Sequence, residues 1–312
     1  MNRAQIEAAQ RRFAAGNGDF LRETPLWKLP GAAFGLEVAE VWLKLEQLQV
    51  GGSFKARGML NRLLANDIPA VGVIVASGGN AGIATAAAAR ALGVPCEVFV
   101  PTVSSLAKQS RLRELGAQVV VTGEAYGDAL QACLARQQQT GALLTHAYDQ
   151  PEVVAGAGTL ALEIETQGGV PDSVLVSVGG GGLIGGIAAW FERRSRVVAL
   201  EPELAPTLFR ARAAGEPVDV GVSGVAADSL GARRIGALAW DITQRHVDDA
   251  LLLPDGAIVD AQRWLWQEMK LAVEPAAALG LAALRSGAWR PAGHEKVCLV
   301  VCGANMDPAS LA

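Results

Sequence analysis

The chain has 312 residues, 51% of them apolar, and a net charge of −4, so it can bury one large core or two moderate ones. Charges of both signs are interspersed and aromatics make up only 5%, which leaves neither the basic stripe nor the stacking surface that a nucleic-acid partner needs. Glycine at 36 positions and many small aliphatic side chains point to α/β packing with close backbone approach.

The first segment, MNRAQIEAAQRRF, is amphipathic and lacks the apolar core of a signal peptide. Cys96, Cys133, Cys298 and Cys302 form no C-x-x-C pair, and no run of about twenty apolar residues escapes a charge or a turn signal. A reduced, cytoplasmic protein without a membrane span is expected. The apolar run VWLKLE is followed by GGSFKARG, residues 51–58, which leads into a helix-like stretch. From residue 71, short β-branched runs (VGVIVAS, PCEVFVP, AQVVVTG, ALLTHA) alternate with segments of helical spacing (NAGIATAAAARALG, SSLAKQSRLRELG, AYGDALQACLARQQQ). That alternation predicts a βαβαβα series and a mainly parallel sheet. Beyond DQPEVVAGAGTLALEIETQ a second series runs through SVLVSVGGGG, LIGGIAAWFERRS, RVVALEP and DALLLP, then two helix-like stretches from Asp255, and ends on KVCLVVCG. The expectation is an α/β fold of two open, twisted, mainly parallel sheets flanked by helices. Residues 1–60 and 150–312 would form the larger unit and residues 61–149 the smaller.

Three stretches carry chemistry. SVGGGGLIGGIAAW places Gly179, Gly180, Gly181 and Gly182 between a buried strand and a helix. Backbone N–H groups converge in such a loop and the helix N-terminus adds positive potential, so phosphate fits; a tight structural turn is the plain alternative. Gly180-x-Gly182-x-x-Gly185 with Glu201 ending the next strand also matches the dinucleotide fingerprint. That fingerprint normally opens its domain, whereas here a whole α/β unit precedes it. In ASGGNAG, residues 76–82, Ser77, Gly78, Gly79, Asn80 and Ala81 stand at a helix start, where N–H groups, a hydroxyl and an amide suit a carboxylate. Alternatively, Ser77 or Asn80 merely caps that helix. Lys55, in GGSFKARG, reads by itself as an ordinary solvated lysine. Beside a phosphate cradle and a carboxylate-gripping loop it supplies the remaining part needed for pyridoxal-phosphate chemistry on an amino acid. His146, His246 and His294 are isolated, and the absence of H-E-x-x-H and G-x-S-x-G removes zinc proteases and serine hydrolases.

GGSFKARG, ASGGNAG, SVGGGGL, EPAAALGLAAL and CGAN occur in an order and spacing that resembles the fold-type II, or β-family, pyridoxal-phosphate enzymes, and most of all the serine/threonine dehydratases. The resemblance runs from about Thr24 to Asn305. It implies a tryptophan-synthase-β-like fold with the site in the cleft between two domains, a homodimer, and a small amino acid as substrate. It further implies that Lys55 binds the cofactor covalently, that Phe54 packs against its ring, that Asn80 bonds the ring hydroxyl, and that Gly179 to Gly182 with Leu183 hold the phosphate. Ser77, Gly78, Gly79, Asn80 and Ala81 would line the substrate-carboxylate site, Glu274 would lie near the ring, and Cys302 would face the pyridine nitrogen.

A neutral Cys302 at that nitrogen makes the ring a weaker electron sink than an aspartate would, which favours β-elimination of a hydroxyl over transamination. Lys55 would then be the base at Cα. Racemases of the family carry a second serine where this chain has Gly78, so efficient racemisation is not expected. Sulfhydrylases and threonine synthases, which catalyse β-replacement, remain the alternative. In LEPELAPTL the resemblance implies a cation site at Glu201, Ala205 and Thr207; a neutral Thr207 hydroxyl suits a monovalent ion such as potassium better than Mg2+, and a helix cap without an ion is the plain reading. SGVAADSLG, residues 223–231, is expected to close over the substrate side chain. There Asp228 either serves a turn or reads a polar group on the substrate.

Overall fold

The computed structural model describes residues 1–16 and 20–311. Among the described residues, ten strands form two sheets. The larger has six: β1 (Leu26–Pro30), β2 (Glu40–Leu45), β7 (Ser173–Ser177), β8 (Arg196–Pro202), β9 (Asp249–Leu253) and β10 (Lys296–Val301), in the order β1-β2-β10-β7-β8-β9. Of the described strand pairings in this sheet, β1–β2 is antiparallel and the others are parallel. The smaller sheet is wholly parallel, in the order β5-β4-β3-β6, from β3 (Val73–Ala76), β4 (Cys96–Val100), β5 (Gln118–Val121) and β6 (Leu143–Thr145). The first strands of the chain join the larger sheet, with β2 lying beside β10 from Glu40↔Lys296 to Leu45↔Val301. The expected pair of mainly parallel sheets is what the chain forms.

Eleven α-helices are described: α1 (Arg3–Gly16), α2 (Lys55–Leu64), α3 (Asn80–Leu92), α4 (Leu106–Glu114), α5 (Tyr126–Thr140), α6 (Pro151–Gly168), α7 (Gly182–Phe191), α8 (Thr207–Ala214), α9 (Ala237–His246), α10 (Asp255–Met269) and α11 (Pro275–Arg285). α7, GLIGGIAAWF, is apolar on every face and buries all of its residues, as a helix enclosed by neighbours must. α6 begins with Pro151, whose missing N–H is one of those a first turn leaves unpaired anyway.

Strand order decides where a ligand can sit. In a parallel sheet whose connections run one way on one side and the other way on the other, the loops diverge at the reversal and leave a crevice at the carboxyl ends of the strands. In the larger sheet that reversal lies between β7 and β10, and in the smaller between β3 and β6. The crevices are therefore bordered by residues 178–182 and 302–305 in one sheet, and by residues 77–80 and 146–149 in the other.

Candidate active site

Lys55 is the first residue of α2, which packs between α3 of the smaller sheet and α6. Its amine donates to the Ala147 carbonyl at 2.6 Å, from the loop that follows β6, and stands 5.1 Å from the centre of the Phe54 ring. Burial pushes that amine down from the usual lysine value to about 8, with Cys302 and Glu274 pulling the other way. About a tenth of a lysine with such a value is unprotonated at pH 7, far more than of an ordinary lysine, which favours a role as nucleophile or base.

A buried charge cluster holds α2 in place. Arg57, two residues past Lys55, donates to both oxygens of Glu46 (2.8 and 2.7 Å) and approaches Glu163 at 2.9 Å. Lys44 donates to Glu163, to the Thr24 carbonyl at 2.7 Å and to Gln167 at 3.0 Å. Lys44, Glu46 and Arg57 are almost wholly buried, and the two cations balance the two acids. Such a set is tolerable only because every member is bonded. No spacing rule relates residues 44, 46, 57 and 163, so the cluster is invisible in the sequence.

On the larger sheet, Gly181 adopts φ +87° as the N-cap of α7, a left-handed conformation that a side chain would strain. The Tyr148 ring lies directly over Gly180: an ideal Cβ there would fall 2.3 Å from the ring carbons. Amides 179 to 183 donate to no protein acceptor among the described residues. A row of unpaired N–H groups at a helix N-terminus is an anion cradle, so the loop fits a phosphate.

Cys302 follows β10 and meets Ser177, the last residue of β7, at 3.5 Å, directly at the reversal point. Burial pushes its thiol well above the usual range, so it is un-ionised. Its sulfur stands 3.9 Å from Glu274, the residue just before α11. Burial pushes the Glu274 carboxyl up to about 7, with the Asn80 amide pulling it down. Asn80 donates to both Glu274 oxygens, at 3.1 and 3.0 Å, and accepts from Asn305 at 2.6 Å. Asn305 in turn donates to the Gly51 carbonyl at 2.7 Å. One chain of contacts thus links the Lys55 loop, the asparagine loop and the end of β10.

The N-cap of α3 is Gly79, with no side-chain cap bond; Ser77 accepts from the Gly79 N–H at 3.3 Å. Neither Ser77 nor Asn80 caps the helix, so the plain reading of this loop does not describe it. Gly78, Gly79 and Asn80 are half-buried and Ala81 is buried behind them. Leu183 is buried in α7 one residue past the glycines. Asp228, in the connection between β8 and β9, pairs with Lys108 of α4 across the cleft.

Glu201, in β8, caps α8 from outside: it accepts from Leu208 N at 2.8 Å, Phe209 N at 2.7 Å and the Thr207 hydroxyl at 2.9 Å. Burial pushes its carboxyl up to about 7 against those donors. Thr207 also donates to the Gly179 carbonyl at 2.6 Å, and the Ala205 carbonyl accepts from Thr207 N at 3.2 Å. The three residues proposed for a cation do meet, and they brace the glycine loop from behind. Asn305, Ser177, Tyr148 and Lys108 were not singled out from the sequence. The CGAN motif contained a signal for Asn305; the others come from distant segments.

Two sheets with their switch points facing across a cleft, a buried lysine of lowered basicity and an anion cradle define the class of fold-type II pyridoxal-phosphate enzymes. Comparison with known proteins agrees: the chain belongs to the pyridoxal-phosphate dependent enzyme family, whose pattern matches residues 19–303. It is 33% identical over 273 residues to the L-threonine ammonia-lyase of Thermotoga maritima, covering 86% of this chain and 68% of that one. Among solved structures it is similar to maize serine racemase (TM-score 0.91, 30% identity, 99% and 95% of the two chains). It is also similar to the T.th. threonine deaminase (TM-score 0.90, 34% identity, 98% and 99%).

Proposed function

We propose that this chain removes water from a β-hydroxy-L-amino acid, L-serine or L-threonine in the first instance, to give a 2-oxo acid and ammonia. The observation that carries the reading is the pairing of a Lys55 amine lowered to about 8 with an un-ionised Cys302 thiol in the same cleft. Pyridoxal phosphate, when bound, supplies the electron sink that lets a Cα–H bond break. Lys55 would hold it covalently and, once freed, take the Cα proton. The N–H groups of Gly179 to Leu183 would hold its phosphate, and Phe54, Asn80, Glu274 and Cys302 would surround its ring. Cys302 offers a ring nitrogen no negative partner, so reactions in which a leaving hydroxyl carries off charge are favoured over those needing a long-lived carbanion. Ser77 to Ala81 would grip the substrate carboxylate through backbone N–H groups and the Ser77 hydroxyl.

Racemisation is less well supported. It needs a second acid on the face opposite Lys55, and residue 78, where racemases of the family carry a serine, has no side chain here. The division into residues 1–60 with 150–312 and residues 61–149 is supported by the sheet membership of the strands. A cytoplasmic setting is supported by four buried, unpaired cysteines, and a homodimer by the family resemblance, which light scattering tests. A monovalent cation at Glu201, Ala205 and Thr207 would brace the glycine loop; exchange of potassium for sodium should then change activity and thermal stability together. The decisive test is an absorbance spectrum of the purified protein at about 410 nm, where a cofactor bound to lysine absorbs, followed by assay of 2-oxo acid from L-serine and L-threonine. A band with pyruvate or 2-oxobutanoate is expected. A band without either product would overturn L-serine and L-threonine as substrates, and a band with no 2-oxo acid from any β-hydroxy amino acid would overturn the dehydratase reading.

A further inference from the structure

The connection between β8 and β9 reaches over the cleft as a loop, residues 223–231, anchored at both ends and exposed at its tip. Ala226 is fully buried, Leu230 N donates to Ala226 O at 2.8 Å, and the Val225 N–H is held by Asp255 at 3.0 Å. The Leu230 backbone lies 3.2 Å from where a Gly179 Cβ would be, so the loop rests against the anion cradle. At its tip Asp228 pairs with Lys108 in the first turn of α4, on the far side of the cleft. The Lys108 backbone is itself held by the Ser105 hydroxyl at 3.4 Å. On the two segments that carry this pair, Val103 and Leu106 are 77% and 79% exposed, and Val225 is exposed on the loop.

We propose that Lys108 and Asp228 are a positioning pair that draws the smaller sheet and the 223–231 loop together over the amino-acid side chain. The inference rests on the cleft's being the amino-acid site. The pair spans the cleft from α4 to the loop, so its strength contributes to how much of the protein is closed before substrate arrives. An exposed ion pair acting only as surface decoration would leave the cleft unchanged when broken.

Hydrogen-exchange mass spectrometry on the holoenzyme separates these outcomes. Asp228→Asn and Lys108→Met should each speed exchange at residues 102–110 and 223–231 by about two- to five-fold, as expected for a partly exposed pair, while leaving α7 unchanged. The KM for L-serine or L-threonine should rise by a similar factor, and high salt should do the same to the unaltered protein. The swap Lys108→Asp with Asp228→Lys should restore slow exchange. Unchanged exchange in the single variants, or a swap that restores nothing, overturns the proposal. A protein with no cofactor band and no 2-oxo acid would sink the proposed function instead, and the exchange data would still decide the pair.

Discussion

The two sheets are packed to different depths. In the larger, β7 is buried along its whole length, α7 hides every residue, and Trp42, Trp190 and Phe191 join one continuous core. In the smaller, the central β3 and α3 are as deeply buried, but the layer around them is thin: β5 at the edge is half-exposed, α4 buries only Gln109 and Leu112, and α5 only Ala129 and Cys133. Local opening costs least where few apolar contacts are lost, so the smaller sheet is the part able to shift, while the anion cradle sits on the part that is not. The cleft thus has a fixed wall and a movable one, with Lys55 and its buried charges at the join.

The sharpest way to break this division is at Lys55. Lys55→Ala should remove the visible band and cut 2-oxo acid release by about a thousand-fold or more, while the cofactor-free forms of the two proteins melt alike, since the bond to the Ala147 carbonyl offsets the cost of burying the amine. Activity within ten-fold of the starting protein would remove Lys55 from the chemistry. Next comes the charge cluster: Glu46→Gln leaves buried Arg57 short of a partner and should cost about 3–5 kcal/mol in a denaturant titration. A cost below about 1 kcal/mol would mean that the join is not pinned there.

A smaller effect depends on pH. Glu274 has its carboxyl raised from 4.5 to about 7 in the folded protein, so across that window the folded state binds more protons than the unfolded one. Glu274 should therefore contribute a fall in stability as pH rises from about 4.5 to 7, by at most on the order of 3 kcal/mol, beside a fall of the same sign from Glu201. Glu274→Gln should reduce that slope and leave the share of Glu201, and parallel pH curves for the two proteins would contradict the burial argument. Last, Val103→Ser on the movable wall should change stability by no more than about 0.5 kcal/mol, measured by thermal melting. A large loss would show the rim to be packed rather than open.

Much of this was legible in the chain. The alternation of β-branched runs with helical segments announced two parallel sheets, because strand and helix periodicities are local properties of sequence. The glycine loop and the asparagine loop were readable for the same reason: each places its chemistry on consecutive backbone groups. Lys55 was recognisable as a candidate only alongside them. What the sequence could not supply was partnership across distance. The Glu46–Arg57–Glu163–Lys44 cluster, the Asn80–Glu274–Asn305 chain, the Tyr148 ring over Gly180 and the Lys108–Asp228 pair join residues up to 225 positions apart. Those partnerships, and the lowered basicity of Lys55 that follows from its burial, exist only once the sheets have folded and excluded water from the cleft.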